Sequence, residues 1–198
     1  AIGAATGCRV MAEFYTARMP GGRGRPRIER LPYGVDAAVA RLAGADALVL
    51  AGSVEPIGFF AYPGKPSQLK APGAALLELA APHEDVPAAL QALADALGVS
   101  AADWQPPHDD APAAPPNGPL TPESVAAVIA AELPAQAIVV DEAVSTGRGF
   151  GARMGQAAPH DWLQVMGGAI GFGLPGAVGA AIGAPGRPVL VLEGDGSA

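Results

Sequence analysis

Three short runs of uninterrupted apolar residues punctuate the chain: Ala-Leu-Val-Leu at 47–50, Ala-Ile-Val-Val at 137–140 and Val-Leu-Val-Leu at 189–192. A run of that length without polar alternation reads as a strand buried inside a parallel sheet. Residues 36–42 and 86–97 change to a helical period, the second with Val86, Leu90, Leu93 and Leu97 on one face. Residues 8–15 and 74–80 read as further strands, and Gly-Phe-Phe-Ala-Tyr-Pro-Gly at 58–64 as a loop. Strands alternating with helices predict an α/β protein with parallel sheets.

The alternation lapses at 105–119, Gln-Pro-Pro-His-Asp-Asp-Ala-Pro-Ala-Ala-Pro-Pro-Asn-Gly-Pro, which reads as an extended linker. After it, Thr121-Pro122-Glu123-Ser124 opens a helix to about residue 133, with a capping hydroxyl, a first-turn proline and an early acid. The strand 137–140, a polar turn at 141–147, a glycine-rich helix and the last strand follow. The predicted organisation is a first unit over 1–104, the linker over 105–119 and a second unit over 120–198.

Residues 162–186 carry no charge and are long enough to suggest a membrane span. Gly167, Gly168, Gly171, Gly173, Pro175 and Pro185 leave them poor in the leucine and phenylalanine that drive insertion. Small residues at Gly176, Ala177, Ala180, Ala181 and Ala184 instead predict a buried helix packed close to a sheet.

Charge narrows the partners. Twelve basic against nineteen acidic residues give a net charge of −7, which disfavours nucleic acid or an anionic membrane as partner. Arg18, Arg23, Arg25, Arg27 and Arg30 cluster among glycines and prolines without interleaved aromatic residues, the pattern of a solvated loop. The single cysteine, Cys8, is expected to be a small buried hydrophobe, and a chain without an internal disulfide suits the cytoplasm. His83, His108 and His160 lie too far apart in sequence for a histidine zinc motif.

Candidate chemistry gathers at strand ends, where open parallel sheets bind ligands. Asp141, Glu142, Ser145 and Thr146 follow one strand, offering hydroxyls and backbone amides to a phosphate. Gly171-Phe172-Gly173-Leu174-Pro175-Gly176 matches G-x-G-x-x-G literally, but without a convincing preceding strand and with proline inside the motif. Gly194-Asp195-Gly196-Ser197 places a carboxylate between two glycines at the mouth of the last strand. A magnesium ion bridging to a diphosphate wants such an oxygen ligand and such close backbone approach.

In order and spacing, "VVDEAVSTG", "HDWLQVMGGAIGFGLPGAVGAAIGAP" and "VLVLEGDGSA" resemble the diphosphate-binding domain of the thiamine-diphosphate-dependent decarboxylases and carboligases. The likeness is to acetolactate synthase large-subunit-like and benzoylformate decarboxylase-like members. Residues 1–97 look like the central domain of the same enzymes. The resemblance implies two parallel-sheet, Rossmann-like, doubly wound units, both incomplete, from within a longer enzyme. It implies thiamine diphosphate and Mg²⁺ as cofactors, with Asp195 as the metal ligand. Gly194, Gly196 and Ser197 then surround the diphosphate, with Ser145 and Thr146 reaching it from the neighbouring strand end. Gly168 and Ala169 face the aminopyrimidine, and Ile170 is the apolar wedge that bends the cofactor.

The family's catalytic glutamate belongs to an N-terminal domain without counterpart here, and its metal-site asparagine lies past the position of Ala198. The piece alone is therefore expected to be inactive, with no catalytic residue of its own. The implied reaction is decarboxylation of a small-molecule 2-oxo acid, carboligation, or both, in a homodimer or homotetramer. A nucleotide-binding oxidoreductase module and a non-catalytic α/β binding homologue are the alternatives.

Overall fold

The computed structural model describes residues 1–107, 112 and 114–198; His108 and part of the expected linker lie outside them. In chain order the elements are α1 (Ile2–Thr6), β1 (Met11–Ala12), β2 (Arg18–Gly21), β3 (Glu29–Arg30), α2 (Val35–Leu42), β4 (Ala47–Ala51), β5 (Ala75–Ala80) and α3 (Val86–Ala96). Then come α4 (Pro122–Glu132), β6 (Ile138–Glu142), α5 (Phe150–Met154), β7 (His160–Gln164), α6 (Gly173–Gly183) and β8 (Val189–Glu193). Single 3-10 turns occupy Ala101–Asp103 and Thr146–Gly149. The chain divides into two compact units, residues 1–14 with 28–105 and residues 15–27 with 106–198.

In the first unit, α2 carries apolar residues at Val35, Ala38, Val39 and Leu42, so one stripe of the helix can be buried. Val35, Ala38 and Leu42 are buried with Leu69, and Met11, Leu31 and Leu48 pack around them. β4 and β5 pair in parallel, with Val49 opposite Leu77, and β1 and β3 form a second parallel pair. Asp85 caps α3 by accepting from the Ala88 amide at 3.0 Å. The expected strand over 8–15 shrinks to Met11–Ala12, because the chain past Phe14 leaves this unit for the other sheet. Cys8 is exposed rather than buried.

The second unit is built on one sheet in the order β2-β7-β6-β8. β7, β6 and β8 run parallel, and β2 adds antiparallel to β7, with Met19 opposite Trp162 and Gly21 opposite His160. Pro20 is tolerated in β2 because an edge strand has one side that owes no ladder hydrogen bond. The core lies between this sheet and α4 and α5: Ala126, Ala130 and Leu133 meet Val139, Phe150, Met154 and Trp162. Phe150 and Trp162 pack edge to face with ring centroids 6.1 Å apart. Thr121 and Ser124 cap α4 reciprocally, each hydroxyl accepting from the other's amide, at 3.1 and 2.8 Å.

The arginine cluster is not a solvated loop. Asp161, at the start of β7 and 4% exposed, receives Arg187 at 2.8 Å and Arg18 at 3.2 Å, with Arg25 at 3.8 Å. Arg23 donates to the Gln156 carbonyl at 2.7 Å. Burial alone raises the Asp161 carboxyl, but hydrogen bonds from Arg187 and Arg18 outweigh it and hold the group below its usual range. A buried carboxylate at a strand start thus draws these arginines onto the sheet, and the segment carrying Arg18, Arg23 and Arg25 becomes an edge.

Nor is α6 the buried helix expected. Gly176 faces the sheet, where an added Cβ would come within 3.3 Å of Val140, so the predicted close approach is present. The bulkier residues point away from it: Val178 is 61% and Ile182 76% exposed. Among the described residues no helix is long and apolar enough to cross a membrane.

Candidate functional site

The register of the second sheet aligns three strand ends. Asp141 on β6 stands opposite Gln164 on β7, and Glu142 opposite Glu193 on β8. Residues 143–147, 165–172 and 194–197 therefore all leave the sheet from its C-terminal edge. Ser145, Thr146, Gly168, Ala169, Ile170, Asp195 and Gly196 are exposed there, with Gly194 and Ser197 half-buried. The last turn is closed by the Ser197 amide donating to the Gly194 carbonyl at 2.9 Å. It runs beside the end of β6, since a Cβ on Gly194 would sit 3.8 Å from the Glu142 carbonyl oxygen.

Asp141 and Glu142, grouped in the sequence with Ser145 and Thr146, have separate tasks. Asp141 accepts from the Trp162 indole at 3.2 Å and from the Ala143 amide at 3.0 Å. It thereby fixes the bend that delivers Ser145 and Thr146 to the edge. Glu142 is 4% exposed, and its two carboxylate oxygens accept from the Gly171 amide at 2.6 Å and the Gly173 amide at 2.5 Å. Its negative charge sits at the N-terminus of α6, where the helix dipole favours it.

Both carboxyl oxygens of Glu193 are buried beside Glu142. Burial, and then the neighbouring Glu142 carboxylate, push the Glu193 carboxyl up. A Cβ on Gly173 would lie 1.9 Å from Glu193 Oε2 and 3.1 Å from Glu142 Oε2, so only glycine fits the helix start without displacing these carboxyls. Sequence reasoning passed over Glu193; its one signal was an acid closing an otherwise apolar strand.

These contacts bear on the dinucleotide motif. β7 does precede it and α6 does follow, so the strand-to-helix context that the sequence denied is present. In a dinucleotide fingerprint the amides at the helix start face a pyrophosphate. Here the amides of Gly171 and Gly173 are already taken by the protein's own Glu142 carboxylate. A second anion at those amides would be repelled.

The donor chemistry of the edge fits the implied cofactors. Asp195 offers an exposed carboxylate framed by glycine carbonyls, an all-oxygen set suited to a hard cation. Ser145, Thr146 and Ser197 offer hydroxyl donors to phosphate oxygens. Among the described residues no three His, Cys, Asp or Glu side chains converge, so Asp195 is a single carboxylate whose cation must take further oxygens from backbone and ligand. His160 starts β7, at the opposite end of that strand from this edge, and exposed His83 belongs to the first unit.

The thiamine pyrophosphate enzyme C-terminal TPP binding domain has a family model that matches residues 144–198. Residues 144–198 are similar to that family. A putative acetolactate synthase large subunit, IlvX, from Mycobacterium tuberculosis is 46% identical over 200 residues, covering 98% of this chain. Benzoylformate decarboxylase from Pseudomonas aeruginosa is 45% identical over 82 residues, covering 41% of this chain and 16% of that protein. A probable 2-ketoarginine decarboxylase, AruI, from the same organism is 45% identical over 69 residues, covering 34% of this chain and 12% of that protein. The chain spans 37% of the length of the acetolactate synthase relative. By their names these relatives are a synthase and two decarboxylases, and the matched domain is one that binds thiamine pyrophosphate. Ser145, Thr146, Gly168, Ala169, Ile170 and Gly194 to Ser197 all fall within the matched segment; Asp141 and Glu142 precede it.

Proposed function

We propose that this chain supplies the diphosphate- and metal-binding part of a thiamine-diphosphate- and Mg²⁺-dependent enzyme that decarboxylates 2-oxo acids, ligates them to a second carbonyl, or does both. The observation that carries the reading is the convergence of residues 143–147, 165–172 and 194–197 on one sheet edge, with the Gly194 turn beside the end of β6. Bound there, thiamine diphosphate supplies an electron sink for the carbanion left when a 2-oxo acid loses CO₂.

The chain's own residues bind and orient. Asp195, helped by neighbouring backbone carbonyls, would hold Mg²⁺; Ser145, Thr146 and Ser197 would donate to the diphosphate, and Gly168, Ala169 and Ile170 would face the cofactor's rings. Among the described side chains of those three segments there is no lysine or arginine. The arginines on Asp161 sit at the N-terminal end of the strands instead. Several phosphate charges next to Asp195 would therefore meet repulsion, and a divalent cation reverses its sign. By the resemblance, a glutamate beyond these residues would activate the cofactor, and the whole enzyme would be a homodimer or homotetramer acting in the cytoplasm.

Thermal melts test the reading. Thiamine diphosphate with Mg²⁺, at about a hundredfold over Kd, is expected to raise the melting temperature by about 5–10 °C, and either alone by far less. A shift with a nicotinamide dinucleotide that ignores Mg²⁺ would favour the oxidoreductase alternative.

A further inference from the structure

We propose that Glu142 is a positioning residue for the loop over residues 165–172: without touching the ligand, it sets where Gly168, Ala169 and Ile170 lie, and so controls cofactor affinity. This rests on the thiamine-diphosphate reading of the same edge. The loop has little to hold it. Gly167, Gly168 and Gly171 take φ of 65°, 70° and 90°, conformations open to glycine, and Ile170 is 78% exposed. A segment so rich in glycine has much conformational freedom to lose when a ligand binds. What ties its far end to the sheet is the Glu142 carboxylate, one oxygen on Gly171 and the other on Gly173.

The arrangement replaces an ordinary helix cap. Phe172 occupies the N-cap position of α6 and makes no side-chain capping bond; the carboxylate from the adjacent strand instead takes the amide of Gly173, the first helical residue, and that of Gly171 just before the cap. Glu142 is the last residue of β6, and Asp141 before it anchors the bend toward Ser145 and Thr146. One strand end thus places two of the three ligand-facing segments, one through each consecutive acid. Shape closes the space as well: Glu193 and Glu142 leave no volume for a side chain at Gly173. Glutamine is nearly isosteric with Glu142, but it can present only one oxygen, and its amide nitrogen would face a backbone N–H, donor against donor.

The test compares the unmodified chain with Glu142→Gln and Glu142→Asp by two measurements. In the absence of ligand, amide hydrogen exchange is read at Gly171 and Gly173, with Val139 and Val140 of the core strand as a control that the variant is folded. Calorimetric titration with thiamine diphosphate and Mg²⁺ then gives Kd. Glu142→Gln is expected to speed exchange at Gly171 and Gly173 about tenfold or more while leaving Val139 and Val140 unchanged, and to raise Kd about tenfold or more. Glu142→Asp, charged but one methylene shorter, is expected to fall between. Faster exchange with an unchanged Kd would overturn the proposal and reduce Glu142 to a helix cap; unchanged exchange would overturn it too. If the unmodified chain binds no thiamine diphosphate with Mg²⁺, the functional reading itself fails and takes the proposal with it. Equal binding by the unmodified chain and Glu142→Gln would overturn the proposal alone.

Discussion

Arg187, just before β8, reaches Asp161 at 2.8 Å while the same guanidinium donates to the carbonyls of Gln136 and Ala137 at 2.7 and 3.3 Å. One side chain therefore clamps the N-terminal ends of β6 and β7 from the segment that leads into β8. Arg18 completes the pair from the other side, through β2, but its side chain is 66% exposed against 28% for Arg187.

That difference ranks the variants. Asp161→Asn is expected to cost about 2–3 kcal/mol of stability, because it leaves guanidinium groups without the carboxylate they surround. Arg187→Ala should cost nearly as much, and Arg18→Ala no more than about 1 kcal/mol, since water screens an exposed ion pair. Urea unfolding of the three variants measures this. Equal losses for Arg18→Ala and Arg187→Ala would contradict the ranking.

Gly22 ends the edge strand at φ 99°, and a Cβ there would lie 2.5 Å from the Ala158 carbonyl oxygen and 2.7 Å from the Pro159 Cα. Both obstacles are backbone, which cannot swing aside. Gly22→Ala is expected to lose about 2–4 kcal/mol and to loosen β2 from β7. Hydrogen exchange should show this first at the β2–β7 ladder; protection there equal to the unmodified chain's would argue that β2 contributes little.

His160 is buried at the start of β7, and its Nδ1–H donates to the Ala158 carbonyl at 2.7 Å. Burial is the main reason its pKa falls below the ordinary 6.5. A lowered folded value means that the unfolded chain binds the proton more readily. The stabilisation is therefore complete above about pH 6.5 and drains away as the pH falls toward the folded value. Melting temperature from about pH 7.5 down to about pH 5 should fall more steeply for the unmodified chain than for His160→Asn, which keeps a donor without the titration. Parallel curves would remove His160 as the source. The contribution of Asp161 is lost at lower pH, below its ordinary 3.8, so the two are separable.

What could be read in advance follows from whether a residue's environment is local. β4, β6 and β8 were legible as strands because runs such as Val189 to Leu192 carry their apolar pattern in their own composition, but only β6 is as buried as that pattern predicts: Val49 in β4 is 58% exposed and β8 is half-buried throughout. β7 was not. His-Asp-Trp-Leu-Gln looks like surface, and it is buried only because Asp161 finds Arg18 and Arg187, while His160 finds Ala158. β2, Arg-Met-Pro-Gly, has no strand pattern at all and exists because β7 offers an edge. At the candidate site, the Gly194 turn and the glycine-rich loop declared themselves by motif. The bond from Glu142 to Gly171 and Gly173 did not, because it depends on a register that only the folded sheet defines.

The central claim, that the turn after β8 holds a cation against a diphosphate, comes down to Asp195. The most direct measurement is the melting temperature of the unmodified chain and of Asp195→Ala, each with thiamine diphosphate, with Mg²⁺, and with both. Asp195 is exposed, so the variant should melt without ligand where the unmodified chain does. The account expects the joint addition to stabilise the unmodified chain and to leave Asp195→Ala within about 1 °C of its unliganded value. Without metal, removing a carboxylate should if anything ease the approach of the diphosphate. Stabilisation of Asp195→Ala by cofactor and Mg²⁺ as large as that of the unmodified chain would contradict the account and leave Gly194 to Ser197 an ordinary turn.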